Sequence, residues 1–295
     1  MLFDNTQRAY HLKTDRELYK AYYLFRLISN STLVTVGSWF AQLSLKLRLP
    51  VAPLFKATVF SQFCAGLNKE ESLELVNKLE SYKINSYLHF AAEESKTEEG
   101  MDISLANTLE TLSFSKESSS LPFTVFKATA LGPMSLFKKK GDKIDFTNSE
   151  EETWKRVLNR IDTCCENAKK MGVNLLIDAE ESWFQDAIDE IAESLMEKYN
   201  KEPPFVYTTL QMYRKDRLEY LKNLHENATK KGFKIGVKLV RGAYIEKENS
   251  RALQLGISSP ICESKLMTDL NFNAGLDFIL KNLEDCSLFL GSHNE

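Results

Sequence analysis

Lys234 to Asn249 reads KIGVKLVRGAYIEKEN. Ile235, Val237, Leu239 and Val240 give it the apolar, mostly β-branched content of a central strand. Two cations sit near its end, Lys238 within the run and Arg241 just after it, and Gly242, Ala243 and Tyr244 follow at once. With the period of a strand, Gly236, Lys238 and Val240 share one face. An isolated buried cation is costly, so Lys238 is expected to be paired or held for a ligand. Gly242 and Ala243 let the backbone approach a bulky planar or phosphorylated group, and Tyr244 adds an aromatic wall. The segment thus reads as a buried strand whose C-terminal tip carries a site for an anionic or electron-rich aromatic group.

The same kind of run recurs on both sides of it. Short, nearly continuous apolar stretches appear as INSYLHF from Ile84, FTVFKATA from Phe123, VNLLIDA from Val173, FVYTTLQ from Phe205 and SLFLGSH from Ser287. Continuous apolar runs of this length suit parallel strands covered on both faces. Between them lie stretches of helical period. Trp154, Val157, Leu158, Ile161 and Cys165 share one face, and Trp183, Ala187, Ile188, Ile191 and Leu195 another. Asn148 or Ser149, ahead of Glu150 to Glu152, marks a helix start.

Alternating strands and helices predict a parallel sheet covered by helices, either doubly wound or closed into a barrel. A dinucleotide-binding doubly wound fold needs a Gly-rich turn after its first strand. Among the 12 glycines no GxGxxG or GxxxxGK[ST] occurs. Polar residues instead recur at the C-terminal tips of several strands: Lys127, Asp178, Gln211, Lys238 with Arg241, and His293 with Asn294. One site fed by many strand tips is the arrangement of a (β/α)8 TIM-like barrel, here incomplete at about six strands. Residues 1–80 read differently, as a helical arm or cap, with TDRELYKAYYLFRLI from Thr14 and KEESLELVNKLESY from Lys69; residues 81–295 are assigned to the barrel. EESKTEEG from Glu93 and SKESSS from Ser115 read as solvated loops or fraying helix ends.

The 295 residues include 38 basic and 41 acidic side chains, well mixed, for a net charge of −3. That balance gives no electrostatic footprint for nucleic acid. The 5 cysteines have no metal-like spacing and read as reduced thiols. One histidine at the end of the sixth run, with no second His or Cys nearby, does not predict a metal site. Neither Ser292 beside His293 nor any GxSxG elbow predicts a hydrolase. The N-terminal stretch carries Asp4, Asp15 and Glu17 and no apolar core, unlike a cleaved signal peptide. STLVTVGSWFAQLSLKLRLP, from Ser31 to Pro50, is broken by Lys46 and Arg48 and reads as a core or surface-docking helix rather than a membrane span.

Strand periodicity groups the candidates. Val125, Lys127 and Thr129 share a face, as do Asn174, Leu176 and Asp178, and Thr209 and Gln211. If these faces point inward, Lys127, Asp178, Gln211 and Lys238 converge on one cavity. Asp178 also has a reading as a helix cap. Glu180 and Glu181 could be an acid/base pair; first-turn residues that complement a helix dipole are the reading preferred here.

VKLVRGAY (237–244), LLIDAEES (175–182), FKATALGP (126–133), TLQMY (209–213) and GSHNE (291–295) together resemble the motifs of flavin-dependent proline dehydrogenases. LFDNTQRAYHLKTDRELYKAYYLF near the start and FCAGLNKEE from Phe63 are similar to the family's monofunctional members. The resemblance runs along essentially the whole chain in motif order. It implies a barrel with FAD across its C-terminal face, oxidation of L-proline to 1-pyrroline-5-carboxylate, and electrons passed to a membrane quinone. It implies Asp178 and Lys238 as the catalytic pair beside the flavin, with Lys127 on the substrate carboxylate and Tyr244 at the substrate. Ala179, Gln211, Arg241, Gly242, Ala243, Thr268, Ser292 and His293 would line the FAD. It further implies a cytoplasmic enzyme, peripheral at the inner membrane in a bacterium, or a mitochondrial one in a eukaryote.

Two departures qualify it. YLHFAAEE has His89-Phe90 where the family usually carries an Asp-Tyr pair. No adjacent arginine pair, the family's bidentate clamp for the proline carboxylate, occurs in the sequence. The expectation is therefore a chain truncated before strands seven and eight. Two alternatives remain: a Schiff-base aldolase using Lys127 or Lys238 as its amine, and an inactive fragment that binds flavin weakly or not at all.

Overall fold

The computed structural model describes residues 4–89 and 97–292. Phe90, Glu93, His293 and Asn294, which figured in the sequence reading, lie outside them. The chain divides after Lys83 into two compact units.

The first unit is helical. Helix α1 (Asp15–Ile28) opens with a reciprocal cap in which Thr14 and Glu17 satisfy each other's backbone donors. Helix α2 (Ser31–Lys46) is capped by Asn30, and α3 (Lys69–Glu80) by Asn68. No helix among the described residues is long and apolar enough to cross a membrane. Although α2 forms as expected, it buries none of its residues.

The second unit holds one sheet of six parallel strands in sequential order: β1 (Tyr87–Leu88), β2 (Phe123–Lys127), β3 (Asn174–Asp178), β4 (Val206–Gln211), β5 (Ile235–Val240) and β6 (Cys286–Gly291). Laid flat, such a sheet would separate its outer strands by about 24 Å. Yet the ring of Tyr87 on β1 meets that of Phe289 on β6 at 5.8 Å, and Phe123 on β2 meets Phe289 at 5.0 Å. The sheet is therefore curled into a half-barrel, the TIM-like architecture that the alternation of runs predicts. The first strand is much shorter than its apolar run.

Helices cover the outer face. The α-helices of this unit among the described residues are α4 (Glu98–Lys116), α5 (Met134–Gly141), α6 (Asn148–Met171), α7 (Ser182–Tyr199), α8 (Arg217–Lys231), α9 (Ile245–Leu255) and α10 (Lys265–Lys281). Phe126, Leu175, Ile177, Val206, Leu210, Ile235, Val237 and Leu239 point outward into one core with Val157, Ile161, Ile188, Leu224 and Phe272 from the helices. Helix α6 starts at Asn148 as expected, but its cap is Thr147, which forms a reciprocal pair with Glu150. Leu158, grouped with the buried face of α6 by its period, is exposed. The serine-rich stretch at the end of α4 is less solvated than its composition suggests: Ser115, in the last turn, and Ser120 are buried, and Ser115 bonds the Thr124 hydroxyl at 3.0 Å.

Candidate functional site

The inner face of the half-barrel begins as an apolar floor. Val125, Leu176 and Tyr207 pack together there, with Phe123 and Phe289 against them. Gly236 makes room for the Tyr207 ring, since a Cβ there would stand 2.5 Å from the Val206 carbonyl oxygen and 2.8 Å from the ring. The Tyr207 hydroxyl meets that of Ser287 at 2.8 Å, which satisfies both polar tips.

Further toward the C-terminal tips the face turns ionic. Lys238 Nζ donates to Asp178 Oδ1 at 2.7 Å. The pair joins β5 to β3 and so spans β4. Thr209, which sits opposite Lys238 in the register, turns its hydroxyl aside to the Ile177 carbonyl oxygen at 2.8 Å, leaving the lysine room to reach across. The rings of Tyr87 and Phe289 lie 5.7 and 5.9 Å from the same ammonium. Two nearby rings and one carboxylate offset the desolvation of Lys238, whose side chain is 10% exposed. Asp178 therefore does not act as a helix cap.

Lys127 ends β2 directly opposite Asp178 in the register. Its ammonium reaches the Tyr244 hydroxyl at 3.4 Å. Partial burial would depress the Lys127 pKa, but Tyr244, Glu180 and Asp178 outweigh it, and the net shift is upward. Burial raises the Tyr244 phenol, with Lys127 opposing the rise. His89, just past β1, is within electrostatic reach of Asp178, Lys127 and Lys238. Its imidazole is held below the usual range, chiefly by lost hydration, with the two lysines adding to the fall and Asp178 opposing it.

The expectation that Thr129 continues the inward face of β2 is corrected. The strand ends at Lys127, and Ala128–Ala130 form a turn of 3₁₀ helix. Within it Thr129 donates both its N–H, at 3.1 Å, and its hydroxyl to the Glu180 carboxylate. The reading of Glu180 and Glu181 as first-turn helix residues is corrected too. Helix α7 begins only at Ser182, and no acid lies in its first turn. Glu180 points across to the tip of β2, while Glu181 accepts from Lys247 at 2.7 Å. The start of α7 is instead capped by Glu248 of α9, whose buried carboxylate accepts from the Ser182 N–H at 2.6 Å and hydroxyl at 2.7 Å. Arg251, also on α9, lies over the Trp183 ring at 4.6 Å. Nothing local to Glu248 advertises this role, because its partner stands far away in sequence.

Gln211, at the end of β4, donates to the Glu180 carbonyl oxygen at 2.7 Å and accepts from the Ala243 N–H at 3.3 Å. Ala179 is buried beside Asp178. Gly242 has φ +131°, and a Cβ on it would fall 1.3 Å from the Tyr213 ring. Its small size is thus required by Tyr213, a reason that sequence reading did not reach. Arg241 pairs with Asp269 on α10, which also takes Lys265 at 2.8 Å. Thr268, the neighbour of Asp269, is buried and bonds back to the Ser264 carbonyl oxygen at 3.3 Å. Ser292 follows β6 directly and is exposed. Hence Lys127, Asp178, Gln211, Lys238, Ala243 and Tyr244 come together at one mouth, while Arg241 and Thr268 belong to the flank made by α10.

The chain was compared with known proteins. A family model described as Proline dehydrogenase matches residues 72–295. The carbapenem antibiotics biosynthesis protein CarD of Pectobacterium carotovorum subsp. carotovorum is 30% identical, over 83% of this chain and 64% of its own length. Mitochondrial proline dehydrogenase 1 of Dictyostelium discoideum is 29% identical, over 99% of this chain and 59% of its own. The chain thus spans less than two thirds of the length of either relative. Among solved structures, proline utilization A from Bdellovibrio bacteriovorus, inactivated by N-propargylglycine, superimposes with a TM-score of 0.72 at 19% identity, covering 97% of this chain and 31% of that one. That likeness supports the fold.

Proposed function

This chain belongs to the proline dehydrogenase family, and from that premise we propose that it oxidises L-proline to 1-pyrroline-5-carboxylate with FAD as cofactor. The observation that carries the reading is the Lys238–Asp178 pair spanning β4 at the open mouth of the half-barrel, with Lys127 and Tyr244 beside it.

The donor set fits a planar, electron-accepting group. It combines an ammonium held among aromatic rings with an amide at Gln211 that is fixed by the Glu180 carbonyl and the Ala243 N–H. When bound, FAD supplies the two-electron acceptor for the hydride leaving proline C5 as the C5–N double bond forms. Lys238 would hold positive charge where negative charge accumulates, a preorganised electrostatic role. Asp178 fixes that ammonium and is assigned with it as the catalytic pair. Lys127 would bind the substrate carboxylate, with Tyr244 packing at the same place. Ala179, Gln211, Arg241, Gly242, Ala243, Thr268, Ser292 and His293 are assigned to the cofactor. A membrane quinone is the proposed onward electron acceptor, reached by peripheral contact from the bacterial cytoplasm or within a mitochondrion. The Schiff-base alternative gains no support at Lys127, because an upward-shifted ammonium is a poor source of free amine.

Titration of the purified chain with FAD, followed by quenching of flavin fluorescence, tests the reading. Saturable one-to-one binding is expected, weakened roughly tenfold or more in Lys238→Met. Absence of binding, or binding that Lys238→Met leaves unchanged, would overturn the cofactor assignment. Formation of the cyclic imine from L-proline, with a quinone analogue as acceptor, then separates an active chain from one that only binds flavin.

A further inference from the structure

Glu180 is 4% exposed, yet among the described residues no cation touches its carboxylate. Both of its direct carboxylate bonds come from Thr129, in the turn that immediately follows Lys127. Its main chain is tied as tightly as its side chain. The Glu180 N–H donates to Gln185 Oε1 at 2.9 Å, and its carbonyl oxygen takes Gln211 at 2.7 Å. Gln185 continues to Asp189 at 2.7 Å, and Asp189 to Arg217 at 2.6 Å, so the residue is anchored into a buried polar chain between α7 and α8. A buried carboxylate with neutral donors alone is an expensive way to hold a turn. Its location explains why one stands here: it joins the tips of β2, β3 and β4, and Lys127 is the side chain presented at that junction.

We propose that Glu180 is a positioning residue of the site: its carboxyl fixes the turn after β2 and so sets the place at which Lys127 is presented beside Tyr244. The proposal rests on the function above only for the role given to Lys127. Burial pushes the Glu180 carboxyl up to about 7, with the Thr129 donors and Lys127 opposing the rise and Glu181 adding to it. The groups that act on it are Lys127 from β2, Glu181 from its own loop and Tyr244 from the head of α9; Gln185 and Gln211 are uncharged. Ionisation of Glu180 strengthens the negative field at Lys127, which then competes with an anionic ligand for that ammonium.

The sign of the pH effect follows from linkage. Between the ordinary carboxylate value and about 7 the folded chain holds a proton that the unfolded chain has lost, so this group's contribution to stability is present at low pH and falls away as pH rises through about 7. The test compares melting temperature against pH, from 5 to 8.5, in the wild type, Glu180→Gln and Thr129→Val, with amide hydrogen exchange at Thr129 and Ala243. The difference curve between wild type and Glu180→Gln should fall as pH rises from 5 and level off near 7, and Thr129→Val, which removes one donor, should move that levelling-off upward. Glu180→Ala should speed exchange of the Thr129 amide roughly tenfold or more, Glu180→Gln should restore it, and the Ala243 amide should keep its protection in both. A flat difference curve, or equal loss of protection at Thr129 and Ala243, would overturn the proposal. If Glu180→Ala does not fold, the Gln and Val variants still decide. Failure of FAD to bind wild-type chain would remove the flavin reading but leave these readouts standing, so the two failures are distinguishable.

Discussion

The Lys238–Asp178 pair is the residue on which the site's electrostatics turn. Both side chains retain some solvent contact, at 10% and 20% exposure, so losing one partner should cost less than the ~3–5 kcal/mol of a fully buried pair. Lys238→Met and Asp178→Asn are each expected to destabilise the chain by about 1–3 kcal/mol in urea unfolding. The double variant should be less destabilised than the sum of the two, since the second change removes a charge the first left unpaired. Strict additivity would contradict a direct coupling. That these residues share a face was legible from the period of two, because a strand alternates whatever surrounds it. What Glu180 and Gly242 do was not legible. Their partners, Thr129 and Tyr213, are brought near only by the fold, and a glycine directly after Arg241 reads equally well as a ligand cradle.

At the scale of the element, the strands were easy to read and the joints between them were not. Continuous apolar runs located five of the six strands closely, but β1 pairs over only two residues, and β2 stops at Lys127 because the next residues turn to meet Glu180. The start of α7 makes the same point. Its own N-cap residue, Glu181, makes no capping bond, and the role passes to Glu248 of α9. Glu248→Ala is therefore expected to cost about 2–3 kcal/mol, as charge-assisted bonds to two donors are lost, with Glu248→Gln recovering part of it. Thr147→Ala, at the locally capped start of α6, should cost about 1 kcal/mol. Urea midpoints for the three variants check the order. A Glu248→Ala midpoint equal to that of Thr147→Ala would show that α7 is not held from α9.

On the scale of the whole molecule, the curl of the sheet turns separate strand tips into one mouth. Sequence order alone predicted a parallel sheet, and the distribution of polar tips favoured a barrel; the contact of Tyr87 with Phe289 is what requires the curl. The family match covers the half-barrel and begins within α3. The mouth gathers two lysines, a carboxylate, a phenol and an amide over an apolar floor, a combination suited to a planar aromatic group and a carboxylate. The measurement that bears most directly on this is a crystal structure of the chain grown with FAD. The account predicts isoalloxazine density at the mouth, in contact with Lys238 and with the Gln211–Ala243 pair. Ordered FAD on another surface, with the Lys238–Asp178 mouth unvisited, would contradict it.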